Sequence, residues 1–175
     1  MKALAVVAAS LFVIAPALAQ EKLSSKDSRA LSNLIEANMA EVEAGKLAQQ
    51  KAQNPEVKQF GQHMVDEHGK MLPELQKMAE SKGVKAPASP DRKHQAAMKK
   101  LQSADGARFD EAYAQQMVKD HQDTLKLVQK TAKDAKDAEL KAAAQKAAPD
   151  VQEHLKMAQG LSKGSSASKG SSSEK

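Results

Sequence analysis

VKQFGQHMVDEHGKMLPELQKM, residues 57–78, decides the fold. Val57, Gly61, Met64, Met71, Leu75 and Met78 follow one another in steps of four and three, with His68 filling the gap in the stripe. That spacing is one face of a helix, and its alternation of fours and threes is the seam of a helical bundle. A histidine stands where a bundle seam calls for leucine.

Working outward, Asn54 can cap this helix and Pro55 suits its first position, so the spacing predicts a helix, B, over 55–82 that stops at Gly83. Pro73 inside it cannot donate to the Gly69 carbonyl. Before it, Leu31, Leu34, Ile35, Val42, Gly45, Ala48 and Ala52 mark a helix A over 27–52, with Asp27 or Ser28 as N-cap and polar Asn38 on the same stripe. After it, GVKAPASPD carries two prolines that favour an extended crossing, followed by a short helix over 92–102. Helix C is expected over 107–135 and helix D over 137–161, with Pro149 kinking or restarting D. Four long helices, a long B–C crossover containing a short helix, and short connections elsewhere describe an all-α four-helix bundle with a crossover. Scarce aromatics and abundant alanine and methionine agree, because close-packed helices need little core volume.

The other seams repeat the anomaly. Helix C reads Ala114, Met117, His121, Thr124, Val128, and helix D reads Leu140, Ala144, Ala147, Val151, His154, Ala158, Leu161. At 1.5 Å of rise per residue, His68 and His121 each lie roughly 20 Å from their helix starts, near mid-length. Glu41 is at similar depth on helix A, and His154 is about one turn off centre by the same rise. On A the seam passes Leu34, Asn38, Glu41 and Gly45, which makes Glu41 the acidic residue best placed to join the histidines. There is also a faint duplication. Glu67-His68-x-Lys70-Met71 recurs as Glu153-His154-x-Lys156-Met157, and Lys46-Leu47-x-Gln49 as Lys126-Leu127-x-Gln129, which sets Glu41 opposite His121.

Three imidazoles and a carboxylate in a dry seam suit a transition metal: zinc, copper or iron. The proposed ligands are Glu41, His68, His121 and His154. Glu67, Asp120 and Glu153 each precede a histidine, turned about 100° from it, and are expected to accept hydrogen bonds from the imidazole of a neighbouring helix. Met64, Met71, Met117 and Met157 flank the histidines, and thioether beside imidazole would suit Cu(I). The same residues also fit a structural layer of hydrogen-bonded core histidines with methionine as filler. His63 and His94 lie off the seams and are expected in solvent. Tyr113, two turns before His121, is either packing or a redox neighbour.

The first nineteen residues, MKALAVVAASLFVIAPALA, have the layout of a secretory signal peptide, so the sequence predicts export, periplasmic or extracellular, with the bundle domain over 20–161. No second apolar run is long enough to span a membrane. The chain has no cysteine, hence no disulfide and no lipid-bearing thiol. Residues 162–175, SKGSSASKGSSSEK, bury nothing and are expected to be a disordered tail. The formal charge of +5 is mild, and lysine alternates with glutamate along the helices, so nucleic acid is not an expected partner. Weak contact with an anionic membrane or envelope polymer fits this charge; the oligomeric state is left open.

The runs EVEAGKLAQQKAQNPEVKQFGQHMVDEH, FDEAYAQQMVKDH and LKAAAQKAAPDVQEHLKMAQ resemble the bacterial domain-of-unknown-function family 4142, exported proteins grouped with the ferritin-like bundles. The resemblance spans 27–161 and implies a ferritin-like fold in the cell envelope, without a reaction. Ferritin-like di-iron sites draw on Glu-x-x-His. Here valine (Val65, Val118, Val151) stands three residues before each histidine, so di-iron oxidase chemistry does not follow. No nucleophile elbow, phosphate loop or HExxH motif is present. Three readings stay open: a non-catalytic binding or stress-protective envelope protein, a mononuclear metal protein handling copper or iron, and a surface-interaction module using the basic tail.

Overall fold

The computed structural model describes residues 22–170, with side chains given to residue 164; the expected signal peptide, 1–19, lies outside the described residues, as do 171–175. Five helices follow in order: α1 (Ser25–Lys51), α2 (Pro55–Ser81), α3 (Arg92–Gln102), α4 (Ala107–Asp134) and α5 (Ala138–Gly170). No described helix is long and apolar enough to cross a membrane.

Two apolar clusters fix how the long helices run. One joins the end of α1 (Ala48, Ala52), the start of α2 (Val57, Phe60), the start of α4 (Phe109, Tyr113) and Ala158 late in α5. The other joins the start of α1 (Leu31, Ile35), the end of α2 (Leu75, Ala79), the end of α4 (Val128) and Leu140 at the start of α5. α1 and α5 therefore run one way and α2 and α4 the other, and the α2–α4 crossover carries the short helix α3, whose Leu101 seals the first cluster. The all-α bundle with a crossover read from the seams is the architecture found.

Each hairpin is held by a carboxylate from the other. Asp27, in the first turn of α1, accepts from the Lys136 and Asp137 amides between α4 and α5, both at 3.1 Å. Asp110, in the first turn of α4, accepts from the Gln53 and Asn54 amides between α1 and α2, at 3.1 and 2.8 Å. The two contacts are counterparts, relating α1 to α4 and α2 to α5 as the sequence duplication suggested. Ser24, not Asp27 or Ser28, caps α1, accepting from the Asp27 amide. Asp27 is thereby free to reach the far loop.

Within the α1–α2 hairpin the backbones touch. A Cβ added at Gly45 would stand 2.5 Å from the Gly61 carbonyl oxygen, and one at Gly61 would stand 2.8 Å from the Ala48 Cβ. α2 and α5 instead diverge over the other half, leaving an open cleft of 340 Å³ between them, walled by Leu34, Leu75, Val128 and Val151.

Two expectations change. α5 continues through Pro149, which is not a restart, and runs to Gly170 instead of ending at Leu161. A helix satisfies its own backbone hydrogen bonds without burying side chains, so it can run on past the end of the apolar seam. The part of the expected disordered tail that is described is thus helical.

Candidate metal centre

Between the two apolar clusters lies a buried polar layer: Asn38 and Glu41 on α1, His68 on α2, Asp120 and His121 on α4, and His154 on α5. His68, His121 and His154 are 2 %, 1 % and 3 % exposed. One ring nitrogen from each lies within 4.8 Å of the other two, the only such group among the described residues. The rings meet obliquely or edge-on, with centroids 5.4 to 5.9 Å apart.

Their protonation follows from their neighbours. Asn38 Nδ2 donates to the Leu34 carbonyl at 2.8 Å, so its Oδ1 is the atom 2.9 Å from His68 Nδ1. An amide oxygen only accepts; hence His68 carries its proton on Nδ1 and keeps a lone pair on Nε2. His121 Nδ1 lies 2.9 Å from the Met117 carbonyl, which also only accepts, so His121 Nε2 keeps a lone pair too. Those two Nε2 atoms and His154 Nδ1 are buried and have no hydrogen-bond partner in the protein. Burial holds all three imidazoles neutral: His68 well below the usual histidine range, His121 below it, and His154 down to about 4. The neighbouring imidazoles push His68 and His154 the same way.

Neutral, clustered imidazoles with unpartnered ring nitrogens are ready metal ligands, since binding need not displace a proton from a charged ring. At a metal–nitrogen distance of about 2.0–2.1 Å the three nitrogens would stand about 3.4 Å apart, so each ring closes by about 1 Å or less. Rotamer adjustment covers that.

The carboxylates fall elsewhere. Glu41 is buried, but its Oε1 stands 3.7 Å from His121 Nδ1, the nitrogen committed to Met117, and it is outside the three-imidazole group. The α1 side chain that hydrogen-bonds one of the three imidazoles is Asn38, one turn earlier, at His68 Nδ1. Burial first, then the nearby Asp120 carboxylate, raise Glu41 well above the usual carboxylate range, which favours its neutral form. Asp120 accepts from Gln116 at 2.7 Å and lies 4.0 Å from His94 Nε2, away from the imidazole centre. Glu67 pairs loosely with Lys70 at 3.6 Å, and Glu153 is exposed. The partners that orient the imidazoles are Asn38 and the Met117 carbonyl, because the roughly 100° turn between adjacent helix positions aims Glu67 and Glu153 away from the layer.

His63 and His94 are not solvated as expected. The His63 ring packs edge-on against His154, centroids 5.1 Å apart, and His94, 13 % exposed, bonds Asp91 at 3.0 Å. Tyr113 is fully buried, stacked on Phe109, with Phe60 edge-on between it and His121. Burial and then Glu41 raise its phenol well above the usual range.

The family model for a domain of unknown function, DUF4142, matches residues 14–161. The chain belongs to that family. Among curated proteins no sequence relative is found. Two solved structures share the fold of this DUF4142 protein. One is CopM in the Cu(II)-bound form, with a TM-score of 0.67 and 15 % identity, covering 79 % of this chain and 96 % of its own. The other is a Streptomyces coelicolor protein of the DUF305 class, described as secreted, with a TM-score of 0.65 and 13 % identity, covering 77 % of this chain and 89 % of its own.

Proposed function

We propose that this protein binds one transition-metal ion through His68, His121 and His154, as a metal-handling protein and not a turnover enzyme. One observation carries the reading: two imidazoles from different helices, in a cluster of three, are each locked in the tautomer that leaves a lone pair on a buried Nε2, and no protein donor answers it. A merely structural histidine layer would pair these nitrogens, because a buried acceptor left without a donor costs about 1–3 kcal/mol. A metal ion satisfies all three at once. Glu41 is not assigned to the ion.

An all-imidazole set suits copper, zinc, iron or nickel. The Cu(II)-bound state of CopM favours copper. The layout of residues 1–19 and the secreted DUF305 neighbour favour action outside the cytoplasm.

Metal titration of untagged protein tests this. Wild type is expected to take up one Cu(II) per chain, and the His68→Ala/His121→Ala double variant none. Equal uptake by both proteins, or none by a folded wild type, overturns it.

A further inference from the structure

The three imidazoles are closed off, each 3 % exposed or less. An ion cannot reach them from water without passing some other group, and a bare cation crossing apolar side chains pays heavily for lost hydration. Among the described residues one further imidazole lies against the group. His63 is half-buried, between the closed centre and the surface, and it packs edge-on against His154 at 5.1 Å between centroids. His154 is also the member whose tautomer no neighbour fixes, its Nδ1 having no partner in the protein. Its ring is therefore the freest of the three to turn.

Resting on the metal-binding reading above, we propose that His63 is the transfer ligand of the site: it captures a Cu(II) or Zn(II) ion at the surface and hands it to His154. His63 precedes His68 by five residues on α2, about 140° around the helix, so the two cannot easily grip one ion together. Its nitrogens fall outside the 4.8 Å group. Both facts set it apart from the resident ligands and make it a way station.

The cleft between α2 and α5 is the competing route. It reaches His68, but also Asn38, which covers the Nδ1 side of that ring, behind the nitrogen that holds the lone pair. Met71 and Met78 are the soft donors along it, between apolar walls.

A transfer ligand lowers the barrier in both directions, so it changes association and dissociation by one factor and leaves affinity alone. Full-length protein is mixed with Cu(II) in stopped flow, and release is followed by capture in excess chelator. The variants are His63→Ala, His63→Phe, which keeps an edge-on ring without a nitrogen, and Met71→Leu. The expected result is that both His63 variants load and release copper at least tenfold more slowly, with the dissociation constant within about threefold of wild type, while Met71→Leu keeps wild-type rates. Weakened affinity with an unchanged loading rate overturns the proposal by making His63 a resident ligand. Unchanged rates in both His63 variants overturn it as well, and slowing in Met71→Leu alone assigns the route to the cleft. Failure of wild type to bind any ion removes the three-imidazole reading and this proposal together; each other failure leaves that reading standing.

Discussion

Asn38 and His121 occupy the same place in the two hairpins. Each lies equally far beyond the aspartate that ties its helix to the opposite loop, Asp27 and Asp110, and each side chain bonds the carbonyl four residues back, Leu34 at 2.8 Å and Met117 at 2.9 Å. On the other two helices His68 and His154 face each other with ring centroids 5.4 Å apart. The layer is thus one motif used twice, with asparagine in one copy where the other has histidine. Three imidazoles and one amide result, and the amide serves to aim His68.

Asn38→Leu tests that division of labour. The change removes the acceptor of His68 Nδ1 and leaves the Leu34 carbonyl with one bond fewer, costing about 1–3 kcal/mol in urea unfolding. Releasing the His68 tautomer should also weaken metal binding by about 10–100-fold, the usual effect of losing a partner behind a ligating histidine. An Asn38→Asp variant keeps an acceptor and should retain most of the affinity. If Asn38→Leu binds metal as wild type does, the tautomer argument fails.

How much of this was open to the sequence depends on what kind of information each feature needs. The helices, the crossover and α3 were legible because local periodicity, Pro55 and Gly83 mark them without reference to partners. The three seam histidines were legible for the same reason. The choice between Asn38 and Glu41 was not: both sit on the inward stripe of α1, and which one hydrogen-bonds an imidazole depends on the axial register of α1 against α2 and α4. The short repeat Lys46-Leu47-x-Gln49 set Glu41 opposite His121, whereas the two aspartates that bind the opposite loops, a better register mark, set Asn38 there. Asp27 was visible as an acidic helix start but misread as its own helix's cap. His63 lies off its helix's stripe, and only the packing of α2 against α5 brings it to His154.

The matched aspartates give a paired outcome. Asp27→Ala and Asp110→Ala each leave two loop amides without their acceptor. By analogy with lost helix caps each should cost about 0.5–2 kcal/mol. The two should be similar, and the sites lie at opposite ends of the bundle, so the double variant should be additive in chemical denaturation. A marked difference between the single variants would remove the case for equivalent hairpins.

The contact of Gly45 with Gly61 predicts strong sensitivity to one methyl group. Alanine at either site gains about 1 kcal/mol of helix propensity. It must also displace backbone: the Gly61 carbonyl at 2.5 Å from a Cβ on Gly45, or the Gly45 carbonyl at 2.9 Å from one on Gly61. Backbone yields less readily than a flexible side-chain end, and overpacking costs about 1–3 kcal/mol. Gly45→Ala and Gly61→Ala should therefore lower the melting temperature, while Gly69→Ala, where a Cβ meets nothing within 4 Å, should raise it. Thermal unfolding followed by circular dichroism reads all three.

The metal-free protein should also lose stability as pH falls from about 6.5 toward 4. In the unfolded chain each histidine titrates near 6.5. Folded His68, His121 and His154 titrate lower, His154 at about 4, because burial disfavours the charged ring. Below 6.5 the unfolded state therefore binds protons that the folded state refuses, and each such group removes up to about 1.4 kcal/mol per pH unit until its folded value is reached. Glu41 acts in the opposite sense. Its folded value is raised above the ordinary 4.5, so between the two values the folded state holds a proton the unfolded state has lost, and acidification through that range favours folding. Three histidines outweigh one carboxylate, and the urea midpoint should fall with acidity. His154→Gln should flatten the slope between pH 6 and 4, Glu41→Gln should steepen it, and saturating Cu(II) should raise the midpoint at pH 7 more than at pH 5, where protons compete for the imidazoles. A midpoint in metal-free protein that does not move between pH 6.5 and 4 would mean that the histidine layer is open to water.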